Sequence, residues 1–229
     1  MSDFATICQS IYLTMFTKLH VIITFILTER RSMKIQMQPM GIYQTNCYIV
    51  TVDGKDIIID PGVNSTEWIK KHTSNPIAIL NTHGHFDHIW CNSEVKKLFN
   101  IPLYTPKEDV PMLSASDHMP ELPPSTADIE VEGDCELDID GIKVLYRHFP
   151  GHSPGCSTIE IGDAMFSGDF IFERSIGRVD FPYSSPSEMK KSLQRFLEID
   201  YDKTVYPGHG NPTTIRAEQR NVPYWINAI

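Results

Sequence analysis

Thr82-His83-Gly84-His85-Phe86-Asp87-His88 places three imidazoles and a carboxylate within six consecutive positions, His83 to His88. The apolar run Ile77-Ala78-Ile79-Leu80 leads into it, and a helix-like segment, 92–99, follows. The stretch therefore reads as a loop at the carboxyl end of a buried strand, just ahead of a helix. Neutral imidazole and carboxylate are the usual ligands of zinc and similar ions. Side chains alternate along an extended chain, so His83 and His85 point the same way, while adjacent Asp87 and His88 diverge. One pair can hold one ion while the other faces a second. A merely solvated polar loop has no need of four ligand-type residues in so short a span.

Outward from this stretch, strands and helices alternate. Segments 34–40 and 46–52 read as strands, and Asp53-Gly54 is a hairpin signal before a third, fully apolar strand at 56–60. Ser65 is placed to cap a helix running to His72, with Glu67 in its first turn. Beyond the histidine loop, the 92–99 helix sets Val95, Leu98 and Phe99 on one face. A short strand at 103–104 and a short helix at 107–113 lead into 114–127, a Ser-, Pro- and Asp-rich loop read as a rim over the site. Strands are expected at 130–140, 142–149, 156–161, 164–167 and 204–206. Between the last two lies an amphipathic helix, 186–197, with Met189, Leu193, Phe196 and Leu197 at helical spacing. The pattern predicts an α/β layered domain.

Length and composition narrow the function classes. The 229 residues suit one large domain or two small ones and can bury a substantial core. A formal net charge of −9 argues against nucleic acid as a partner. Cys8, Cys47, Cys91, Cys135 and Cys156 are odd in number, scattered and without a CxxC pair, which points to free thiols in a reducing, cytoplasmic setting. Residues 1–32 differ in character. Segment 11–27 is mostly apolar, but Lys18 and His20 interrupt it, and Arg30 and Arg31 follow it rather than precede it. It falls short of both a spanning helix and a signal peptide. Residues 1–32 are read as an extension outside the fold, able at most to act as a weak anchor, and Met33 as the start of the functional domain, 33–229.

Four further signals place a ligand-type residue beside glycine at a strand end: Asp60-Pro61-Gly62, Gly151-His152, Gly168-Asp169 and Gly208-His209-Gly210. Glycine permits the close backbone approach a shaped loop needs. Loops from separate strand ends can converge at one edge of a sheet. The set His83-x-His85-x-Asp87-His88, then His152, Asp169 and His209, resembles the metallo-β-lactamase-fold hydrolases, and the resemblance covers 33–229. Gln44-Thr45-Asn46-Cys47-Tyr48, Gly168-Asp169-Phe170-Ile171-Phe172, Ser175-Ile176-Gly177-Arg178 and 207–215 look most like the short, glyoxalase II-like branch.

That resemblance implies a single αββα sandwich with the site at one edge and no C-terminal helical glutathione-binding domain. It implies two divalent ions, zinc before iron or manganese. His83, His85 and His152 would hold the first ion; Asp87, His88 and His209 the second; Asp169 would bridge them. Asp60 would orient a ligand histidine. A water shared by the ions would become hydroxide near neutral pH and attack a thioester carbonyl, with Asp87 orienting it and shuttling its proton. Arg178 would either clamp a substrate carboxylate or form a structural ion pair. The implied substrate is S-lactoylglutathione or a related 2-hydroxyacyl thioester; Asp180 stands where a glutathione-contacting tyrosine is found in longer relatives, which counts against glutathione as the thiol but not against thioester hydrolysis. Two other readings are a persulfide dioxygenase with one iron on His83, His152 and Asp169, and a non-enzymatic metal-binding protein. Cys91 and Cys156 read as small buried hydrophobes rather than nucleophiles.

Overall fold

The computed structural model describes residues 32–114 and 119–229. The readings made for the first 31 residues lie outside the described ones.

Two six-stranded mixed sheets face each other, and the histidine loop runs along one of their edges. The first sheet runs in order β1 (Met33–Met40), β2 (Thr45–Val52), β3 (Lys55–Ile59), β4 (Pro76–Leu80), β5 (Leu103–Pro106) and β6 (Ile129–Val131). Its opening hairpins are antiparallel, and β3 to β6 are parallel. The second sheet contains β7 (Cys135–Ile139), β8 (Ile142–His148), β9 (Ser157–Ile161), β10 (Ala164–Gly168), β13 (Thr204–Pro207) and β14 (Thr213–Thr214). A separate small hairpin joins β11 (Ile171–Phe172) to β12 (Ser175–Ile176).

Strand alternation divides the apolar residues into three clusters, and that division makes the layers. Tyr48, Val50, Ile57, Ile59 and Leu80 from the first sheet meet Val144, Tyr146, Ile159 and Phe166 from the second in a central core. The opposite faces of the same strands carry the outer clusters. Ile58 and Ile79 meet Ile69 of α1 (Thr66–His72) and Val95 of α3 (Asn92–Phe99). Met165 and Val205 meet Met189, Leu193 and Phe196 of α4 (Pro186–Leu197), with Ile215 of α5 (Ile215–Gln219) and Val222 of α6 (Val222–Ala228). The single-domain αββα sandwich expected from the sequence is the fold observed.

Details differ from the sequence reading, each for a local reason. The expected strand 130–140 is two strands, β6 and β7, in different sheets. Gly133, at φ +59, breaks the run and carries the chain across. Asp87 and His88 sit in an unexpected helical turn, α2 (Phe86–Ile89). Ser65 stands at the start of α1 but makes no side-chain capping bond. Leu98 and Leu197 are exposed, because each lies at the margin of a stripe too narrow to cover them. The 114–127 rim does reach the cleft, through Ser114, Met119 and Leu122.

Candidate metal centre

Each sequence-predicted ligand residue projects from the carboxyl end of a strand or the loop after it. β4 delivers His83 and His85, then α2 delivers Asp87 and His88. β8 leads to His152, β10 to Asp169 and β13 to His209. Donor atoms of His83, His85 and His152 lie within 4.8 Å of one another, as do those of Asp87, His88 and His209. The expected divergence of Asp87 and His88 is not found. The helical backbone of α2 turns both toward His209, with His88 Nε2 3.6 Å and His209 Nε2 3.4 Å from Asp87 Oδ2.

Asp169 lies between the two groups. Its Oδ1 is 3.3 Å from His88 Nε2, and its Oδ2 is 3.4 Å from His152 Nε2 and 3.5 Å from His209 Nε2. The glycine before His209 makes this approach possible. A Cβ on Gly208 would stand 2.2 Å from Asp169 Oδ1 and 2.7 Å from His88 Cε1.

Backbone and carboxylate partners orient the rings. His88 Nδ1 donates to Asp60 Oδ2 at 3.0 Å. Thr82 Oγ1 donates to the same oxygen at 2.7 Å and lies 3.0 Å from His83 Nδ1, whose N–H it can accept. His152 Nδ1 donates to the Arg178 carbonyl at 2.8 Å, and His209 Nδ1 to the Tyr43 carbonyl at 3.0 Å. These bonds leave Nε2 of all four rings as the inward atom. His85 turns its Nδ1 inward instead, 2.7 Å from His152 Nε2. An oxygen of Asp60 also lies within 4.8 Å of donor atoms of His83 and His88. Its oxygens already accept from Thr82 N, Thr82 Oγ1 and His88 Nδ1. It holds this place in a left-handed conformation, φ +49, unusual for a non-glycine residue.

The centre fits a metal by a test internal to the chain. Buried polar atoms are normally hydrogen-bonded, and leaving one bare is costly. Among the described residues seven buried side-chain polar atoms make no hydrogen bond, and His83 Nε2, His88 Nε2 and Asp169 Oδ1 are three of them. All three belong to the converging set, and all three are atom types that bind divalent transition ions.

Electrostatics separates the two groups. Burial pulls His83 well below the ordinary imidazole pKa, and it pulls His85 down to about 4, with His152 adding to the effect. Burial also opposes charge on His88 and His209. For His88, the carboxylates of Asp87 and Asp169 outweigh it and hold the pKa well above the usual value. For His209, the hydrogen bonds it donates to Asp169 and Asp87 lift it to about 9. Burial likewise opposes ionisation of Asp87, but His88, His209 and the Thr45 hydroxyl bring it down to about 2. Thr45 Oγ1 donates to Asp87 Oδ2 at 2.6 Å.

Several supporting residues escaped the sequence reading. Asp109, fully buried in the 3-10 turn Lys107–Leu113, accepts from Gly84 N at 2.8 Å, Ser153 Oγ at 2.6 Å and Gly155 N at 2.6 Å. It thereby ties the His83–His85 loop to the His152 loop. Nothing local marks Asp109; only the contact shows it. Thr82, adjacent to the histidine motif, was the one supporting residue its position could have suggested. Arg178 reaches the cleft, but Asp180 engages its guanidinium through two bonds, at 2.8 and 2.7 Å. Cys91 and Cys156 are buried in apolar clusters, as expected.

Two facing sheets thus present two groups of metal-binding side chains at one edge, with Asp169 between them. Residues 40–209 match the metallo-beta-lactamase superfamily, and the chain belongs to it. Among its relatives is the uncharacterized protein Rv2581c of Mycobacterium tuberculosis, 33% identical over 213 residues, covering 81% of this chain and 95% of that one. Another is the probable metallo-hydrolase YqgX of Bacillus subtilis, 32% identical, covering 84% and 97%. A third is the hydroxyacylglutathione hydrolase GloC of Haemophilus influenzae, 30% identical, covering 84% and 98%. Among solved structures, the BLEG-1 B3 metallo-beta-lactamase superposes with a TM-score of 0.75 at 31% identity, covering 84% of this chain and 99% of that one. TTHA1623 in a di-iron-bound form gives 0.72 at 31% identity, covering 82% and 99%.

Proposed function

We propose that this chain is a binuclear metal-dependent thioesterase of the glyoxalase II type. The observation that carries the reading is the set of bare buried donors, His83 Nε2, His88 Nε2 and Asp169 Oδ1, between two three-residue groups. In this reading His83, His85 and His152 would hold one ion, Asp87, His88 and His209 would hold the other, and Asp169, which lies between the groups, would serve both. Zinc suits the donors best, and iron or manganese also fits; the di-iron form of TTHA1623 is a relative's precedent for iron. Bound divalent ions supply Lewis acidity, which polarises a carbonyl and acidifies water.

The chain's own groups do the rest. Asp60 and Thr82 lock the inward nitrogens of His88 and His83. Asp87, kept ionised by its surroundings, takes the proton of the attacking water. The water oxygen bonds to the thioester carbon, the C–S bond breaks, and the proton passes to the departing thiolate. A 2-hydroxyacyl thioester is the substrate class that the GloC relative's name suggests. The described cysteines are unbridged, which supports a reducing, cytoplasmic setting. The domain is taken as 33–229, with small molecules rather than nucleic acid as partners.

The test is metal content together with thiol release, measured on one purified sample. The substrates are S-D-lactoylglutathione and the S-lactoyl ester of N-acetylcysteamine. About two ions per chain with thiol released from either substrate is the expected result. Two ions with release from neither discards the glyoxalase II type and lactoyl thioesters as substrates. A single iron moves the assignment to the dioxygenase.

A further inference from the structure

The cleft over the candidate centre has a volume of about 800 Å³. Its walls are largely apolar, with Phe86, Met112, Met119, Leu122, Ile176 and Phe181 among the residues that form them. Among the described lining residues, Arg178 is the only lysine or arginine. Two of its five N–H donors are engaged within the chain, in a pair whose side chains are 64% and 65% exposed: Nε donates to Asp180 Oδ1 at 2.8 Å and Nη2 to Oδ2 at 2.7 Å. The same group lies 4.3 Å over the Phe181 ring. Phe181 in turn stands edge-on to His85 and His152, with centroids 5.7 and 5.9 Å away. The side chain best shaped to grip a carboxylate is therefore part of an aromatic wall, with its charge already matched.

Glu108 adds a carboxylate to the cleft lining, away from the candidate ligand set. Glutathione carries two carboxylates and one ammonium, so its conjugates arrive with net negative charge and meet a guanidinium already paired with Asp180. An uncharged apolar group loses nothing to these charges and gains by leaving water.

We infer that the substrate, on the thioesterase reading above, carries an uncharged apolar group in this cleft, and that Asp180 sets the preference by masking Arg178. The class is a neutral thioester with an aryl or medium alkyl group beside the scissile bond.

The experiment reads binding, so it does not depend on turnover. The full-length protein is titrated with two inert thioethers, S-benzylglutathione and S-benzyl-N-acetylcysteamine. The neutral probe should bind the tighter by about fivefold or more, and Asp180→Asn should shift the ratio of affinities toward the glutathione probe by about fivefold, the scale of an exposed charge pair. Met112→Ser should weaken the neutral probe. Equal or tighter binding of S-benzylglutathione by the unmodified protein overturns the inference, as does a ratio unmoved by Asp180→Asn, or no binding of either probe. The expected binding pattern without thioester cleavage would sink the thioesterase and leave the neutral, apolar specificity of the cleft standing. Thioester cleavage with a preference for the glutathione probe would do the reverse.

Discussion

His88 shows how much of a ligand's character is set behind it. Its ring is aimed by Asp60 and charged by Asp87 and Asp169, three carboxylates that its own sequence neighbourhood only partly reveals. The seven ligand-type residues were legible because each carries its signal locally, in an alternating histidine motif or beside a glycine. Asp109, Thr45 and the Tyr43 carbonyl were not legible, because their partners lie 25 to 166 positions away. At this scale His85→Ala or Asp169→Ala should remove most bound metal and nearly all turnover, while Cys156→Ser leaves both largely intact; metal analysis and a thiol-release assay check this. Turnover at the unmodified level in Asp169→Ala would sink the bridging role.

The pKa pattern carries a second residue-scale expectation. In the ion-free protein His209, at about 9, and His88, held well above the usual value, are protonated at neutral pH. His85, at about 4, and His83 are neutral there. An ion entering the Asp87, His88 and His209 group must displace protons, so its affinity rises as pH rises from 6 toward 9. His83 and His85 have no proton to release over that range. Calorimetry in buffers of different ionisation enthalpy counts the protons released on loading. A count of zero would contradict the assignment.

At the scale of the element, the amphipathic helix α4 was readable from its spacing, yet its buried stripe is narrower than the apolar pattern. Met189, Leu193 and Phe196 are fully buried, whereas Leu197 is 40% exposed. Leu193→Ala should therefore cost roughly 2–5 kcal/mol, since it opens a cavity in the outer cluster. Leu197→Ala should cost less than about 1 kcal/mol. Denaturant midpoints for the two variants check the difference. The short helix α2 was unreadable for the opposite reason. Its four residues carry no periodicity, and its shape follows from contacts made once the strands are in place. The break at Gly133 was also hidden, because acidic residues on both sides kept the strand-like pattern running.

Across the whole molecule, the layer order was legible because alternating strands must bury both faces of each sheet. Which strand joined which sheet was not, since that depends on long-range pairing such as the parallel contact of β10 with β13. The ligand set spans the sandwich: His83, His85, Asp87 and His88 follow strands of the first sheet, and His152, Asp169 and His209 follow strands of the second. Each three-residue group draws on both. Chelation should therefore lower the thermal midpoint by about 5–10 °C, the effect of losing a ligand present near a hundredfold above its Kd. Scanning calorimetry with and without a chelator reads this directly. An unchanged midpoint would mean that the ions do not join the layers.

The single crossing at Gly133 has one further consequence. Each sheet is one unbroken run of sequence, β1–β6 before Gly133 and β7–β14 after it, apart from the small hairpin. A backbone cut there would yield two complementary halves, each holding part of both ion sites and neither holding a whole one. The apolar core between the sheets would draw such halves together, and on the proposed assignment divalent ion would tighten their union, so that a split pair would report metal in solution by how firmly it holds.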